Sequence, residues 1–123
     1  MTTNDITQAK QEFAAVLVAA GIKVMDTVPE RIVPPVAVIN FGSPYLQAAS
    51  IGSEYLLAIE LVLVAQTATN KQATEQLDDL IQRAINALPH YARMTNVGQP
   101  YNLQTNNAEY LAANMLLNLR ITI

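Results

Sequence analysis

The sequence predicts an α/β (α+β) domain: a mixed or mainly antiparallel sheet of four to five strands with two helices packed on one face. Three observations carry that prediction. Two segments repeat apolar residues every three to four positions, Ile6 to Ala20 and Ala73 to Leu88. One central run, Tyr55 to Gln66, is apolar on both faces of a strand period, and the last segment alternates to the terminus. Helical and two-residue periods interleaved in one short chain, with turn residues between the strands, imply helices segregated to one side of a sheet.

The first helix places Ile6, Ala9, Phe13, Val16, Leu17 and Ala20 on one stripe. Asp5, with Gln8 three residues on, can cap its start, and Gly21 can supply the left-handed residue that ends it. Ile22 to Met25 suits a short strand. Pro29, Pro34 and Pro35 then withhold backbone donors, so the stretch reads as an extended connector. Val36 to Phe41 is a β-branched run and a second strand; Gly42, Ser43 and Pro44 break it, which leaves Tyr45 to Ser53 as a long loop at a hairpin tip.

In the central run, Tyr55, Leu57, Ile59, Leu61, Leu63 and Ala65 share one face, and Leu56, Ala58, Glu60, Val62, Val64 and Gln66 the other. A strand apolar on both faces belongs inside a sheet, covered by helices on one side and by a loop, a helix or another subunit on the other. Thr69 and Gln72 have capping-box spacing before the second helix, whose stripe is Ala73, Leu77, Leu80, Ile81, Ala84, Ile85 and Leu88. Pro89 ends it. Arg93 to Val97 suits a further strand, Gly98 to Pro100 interrupts, and Thr105 to Asn107 is loop. Ala113, Met115, Leu117, Leu119, Ile121 and Ile123 alternate with Asn114, Leu116, Asn118, Arg120 and Thr122 as a half-buried terminal strand.

With 123 residues, one core is expected. Charged residues make up 14% against roughly 25% in a typical domain, while apolar residues reach 51%, so part of the surface is expected to be hidden against copies of the same chain. The net charge of −3 and the lack of a Lys/Arg cluster argue against a nucleic-acid grip. Cysteine is absent, which excludes disulfides and thiolate chemistry. No leader-type segment opens the sequence, and the apolar run is too short, with Glu60 inside it, to suggest a membrane role.

Residues that could do chemistry are few. His90, the single histidine, follows Pro89 at a helix end and has no orienting partner visible in the sequence. Asp78 and Asp79 diverge by about 100° on a helix, so they read as a solvated face. Glu60 interrupts an apolar strand and could pair with Arg120 on the last strand or form a subunit salt bridge. The four glycines form no phosphate loop. No catalytic residue, cofactor or metal is expected. Tyr45 and Tyr101, near turns, are candidates for an interface or for strand-end packing.

The run Val28-Pro-Glu-Arg-Ile-Val-Pro-Pro-Val-Ala-Val-Ile39 resembles the Pro-rich lead-in to the first long strand of bacteriophage tail terminator, or tail-completion, proteins. The loop Gly42 to Leu46, a long strand, a long helix over Asn70 to Leu88 and a closing apolar strand follow in the order of that family, so the resemblance spans nearly the whole chain. It implies a structural virion protein assembled in the host cytoplasm: a hexameric ring that caps the head-proximal end of the tail tube, stops its growth and presents a surface to the neck or connector. Partners would be further copies, the tail tube protein and a neck protein, with DNA passing through the lumen unbound. Glu30, Arg31, Tyr45, Leu46, Glu60, Tyr101 and Arg120 are the candidate subunit contacts. Other neck or head-completion proteins, and a small non-enzymatic ligand-binding domain with a pocket on the two-sided strand, are the rival expectations.

Overall fold

A computed structural model describes residues 4–25, 35–49, 52–66, 71–104 and 108–123. Two helices, α1 (Asp5–Ala19) and α2 (Lys71–Ala87), accompany six strands: β1 (Val24–Met25), β2 (Val36–Ala48), β3 (Glu54–Val64), β4 (Ala92–Val97), β5 (Tyr101–Gln104) and β6 (Glu109–Thr122). The strand order is β1-β2-β3-β6-β4, and β5 pairs with the start of β6, beyond the stretch that β4 occupies. Among the described residues only the β1–β2 pair is parallel, so the sheet is mixed. This is the expected α+β class, with one strand more than the four to five expected.

α1 begins one residue earlier than its periodicity suggests. The cap is Asn4, not Asp5: the Asn4 side-chain oxygen accepts from the Thr7 backbone N–H at 2.7 Å, and Gln8 donates to Glu12 instead of closing a box. Asn4 supplies the free oxygen that an orphan N–H needs. At the other end Gly21 has φ +85, Ile22 N–H bonds Leu17 C=O and Gly21 N–H bonds Val18 C=O, the paired bonds of a Schellman stop.

β2 departs most from expectation. Gly42, Ser43 and Pro44 do not end it; the strand runs to Ala48, and a shift of register between Phe41 and Leu46 absorbs the break. Gly42 is required there, because a Cβ would lie 2.6 Å from the Ala58 Cβ of β3. The expected long loop therefore shrinks to the residues after Ala48. β5 was not anticipated at all.

The main core lies between the helices and one sheet face. Phe13 and Leu17 of α1, and Ala73, Leu77, Leu80 and Ala84 of α2, pack on Leu57, Ile59, Leu61 and Leu63 of β3 and on Met115, Leu117 and Leu119 of β6. Each large side chain sealed this way contributes about 1.5–3 kcal/mol. Both helices thus cover the same face, as expected. β3 is central, between β2 and β6. A second, smaller cluster on its other face gathers Val36, Val38, Val62, Val64, Tyr110 and Ala112, with Met25, Leu103 and Ala108 against it. The Gln76 side chain accepts from Gln66 N–H at 2.6 Å, which ties the end of β3 to α2.

Candidate functional site

The uncovered face of the sheet brings together several of the residues singled out by sequence. Glu60 on β3 stands opposite Asn40 on β2 and Leu116 on β6. Asn114 Nδ2 donates to the Glu60 carboxylate at 3.1 Å, and the Tyr101 hydroxyl donates to Asn114 Oδ1 at 2.8 Å. A polar line therefore crosses β3, β6 and β5. Burial raises the Tyr101 hydroxyl above its ordinary value of 10.0, the Glu60 charge adds to the rise, and the bond to Asn114 opposes it.

The expected Glu60–Arg120 pair does not form. Arg120 stands opposite Leu56, four positions along β6 from the partner of Glu60, and its Nε lies 3.7 Å from Glu54. In a strand, four residues are about 13 Å, beyond the reach of a direct pair. Arg120 also lines a depression of about 540 Å³ with Glu54, Leu56, His90, Tyr91, Arg93, Asn118 and Thr122. His90 and a carboxylate thus share one hollow. Among the described residues no hydrogen bond links them, the His90 ring instead packs edge-on against Tyr91 at 5.6 Å, and Glu54 is engaged by Arg120. A general base needs an orienting acceptor, and among the described residues His90 has no such hydrogen bond. Burial raises Tyr91, with the Glu12 charge second. No group of three metal-ligating residues occurs among the described residues, and among them no helix is long and apolar enough to cross a membrane.

Tyr45 and Leu46 lie on the far half of β2 and pack against the main core. Tyr45 also organises the surface beside α1. Its ring meets Phe41 edge-on at 5.4 Å, and Lys10 Nζ donates to its hydroxyl at 2.9 Å while sitting 5.5 Å from both ring centres. Phe41 itself is 68% exposed, the most exposed of the large apolar side chains described. Sequence reading placed Phe41 inside a strand and passed over it; the Pro44 break nearby hid that this strand reaches the rim. A depression of about 500 Å³ opens there, lined by Thr7, Lys10, Gln11, Ala14, Ile39 and Phe41. Glu30 and Arg31, with the Pro29 to Pro34 connector, lie outside the described residues.

Asp78 and Asp79 are both exposed, and Asp79 pairs with Arg83 at 2.8 Å, as a solvated face would. Among the described residues one side of the two-sided strand is sealed under the helices, and the other carries the small valine cluster at one end. No protein-family model and no curated protein matches this chain.

Proposed function

We propose that the chain is a non-enzymatic tail terminator, which closes into a ring on the head-proximal end of a phage tail tube, ends tube growth and forms the joining surface for the neck. The observation that carries this reading is the order of elements. A capped N-terminal helix, a long strand, a long central strand, a long helix and a closing apolar strand stand in the sequence that the resemblance implies. The surface supports it too. A charge-poor chain with a fixed, largely exposed phenylalanine beside an open hollow is built for contact between proteins.

The ring would be hexameric, and its mechanism would be complementarity of surfaces: one patch of each copy meets a different patch of the next, and repetition closes when the rotation permits. A lumen through which DNA passes needs no grip on it, and the chain has no basic cluster to supply one. The test is light scattering of the purified protein over a range of concentrations, with negative-stain imaging alone and after mixing with tail tubes. Rings in solution, or rings at tube ends only, are the expected result. A monomer that leaves tube ends bare would refute the reading.

A further inference from the structure

Phe41 is exposed yet held in place. Tyr45 packs against its edge, Lys10 sits over both rings, and the hollow beside it has an apolar floor of Ala14 and Ile39. A ring fixed before binding loses little freedom on being covered, which favours its use as an anchor. What covers it does not add as a strand. The Phe41 backbone N–H is already taken by the Asn40 side chain at 2.9 Å, and Pro44 further along the same strand has no N–H to offer. The partner must therefore present side chains.

Along α1 the hollow continues as a stripe of Lys10, Ala14 and Val18, spaced four residues apart, and Val18 is 58% exposed. Lys10 has a hydroxyl partner, and among the described residues no carboxylate lies within ion-pair distance of it. The complement exists on this same chain. On α2, Asp78, Gln82 and Ile85 fall at i, i+4 and i+7, one exposed stripe. Glu75 and Asp79 are paired with Lys71 and Arg83, whereas Asp78 has no ion-pair partner among the described residues. Ile85 is exposed although it belongs to the apolar pattern of its helix. Seven residues of helix span about 10.5 Å and eight about 12 Å, so the two stripes match in length when the helices run parallel.

We propose that α2 of a second copy packs parallel to α1 in the groove beside Phe41, with Asp78 on Lys10, Gln82 over the small Ala14, and Ile85 against Val18. The contact is head-to-tail, because the groove and the stripe are different surfaces of one chain. The proposal rests on the ring reading for its second copy, and the outcomes below separate the two.

The chain has no cysteine, so single cysteines report cleanly. Gln11→Cys and Gln82→Cys, both exposed positions, are purified separately, mixed at concentrations where the wild-type protein associates, and treated with a short bismaleimide. A covalent dimer in the mixture and none in either variant alone is the expected result. Linkage within Gln11→Cys alone would place two grooves face to face and overturn the proposal. Absence of any linkage while rings still form would overturn it and leave the ring intact; a wild-type protein that stays monomeric with and without tubes overturns both. In parallel, Asp78→Lys should weaken association about tenfold, the loss of one ion pair with its neighbours, and Lys10→Glu added to it should restore it. Unchanged association in Asp78→Lys would also overturn the proposal.

Discussion

On the helix-covered side of β3, Leu57, Ile59, Leu61 and Leu63 are sealed, whereas on the opposite side Leu56, Ala58 and Glu60 stay half-buried and only Val62 and Val64 are closed off. The two rows are nearly equal in apolar content. What separates them is the cover: two helices lie over the first, while a small cluster closes one end of the second. Hydrophobicity along a strand states how much a face could gain from burial, and the packing of other elements decides which face collects it. The polar line from Glu60 through Asn114 to Tyr101 occupies the part left uncovered, where carboxylate, amide and phenol can be both paired and wet.

The largest test of that contrast is a pair of truncations. Leu61→Ala, in the sealed row, should lose about 2–5 kcal/mol in urea unfolding, since a cavity is left that the neighbours cannot fill. Leu56→Ala, one strand face away, should lose under about 1 kcal/mol. Equal losses would mean that the uncovered face is as closed as the other. Next, Gly42→Ala should cost about 1–3 kcal/mol through the contact with Ala58, and Ala58→Gly in the same chain should recover part of it. A neutral Gly42→Ala would show that β2 and β3 separate easily there.

Asn114→Ala removes the group that joins Tyr101 to Glu60 and should cost about 1 kcal/mol, because both partners can turn to water on a half-exposed face. A loss of several kcal/mol would place that face under cover. The smallest effect is a pH dependence. The Tyr101 hydroxyl titrates above its ordinary value of 10.0, so the folded state holds its proton more tightly than the unfolded chain. Stability is then fully present below pH 10 and is lost as pH rises from there through the folded value. Glu60→Gln should flatten that alkaline decline by removing the second cause of the shift, with Tyr101→Phe as the reference; a decline unchanged by either substitution would break the account.

Much of this architecture was legible in the residues. The stripes of α1 and α2, the two-faced β3 and the alternating β6 each depend on a local period, and a local period survives folding. β2 was half legible. Gly42, Ser43 and Pro44 carry turn chemistry, but the register shift lets the strand pass through them, and that depends on Ala58 across the sheet, a contact no window of sequence contains. β5 was missed because four residues have too little period to register and are held by β6. For the surface, the sequence singles out Tyr45, Leu46, Glu60, Tyr101 and Arg120; of the one pairing it suggests, Glu60 with Arg120, the structure gives each a different partner: Glu60 takes Asn114, and Arg120 takes Glu54. Phe41 was overlooked, because a β-strand period identifies a side of the sheet without revealing where the covering helix stops short.

Under the proposed reading, this chain ends tube growth by capping. The direct measurement is the length distribution of tubes polymerised from the tail tube protein of the same genome, imaged at rising concentrations of this protein. Tubes that shorten with dose and carry a ring at one end only are the predicted result. Tube lengths that do not respond, with both ends bare, would contradict it.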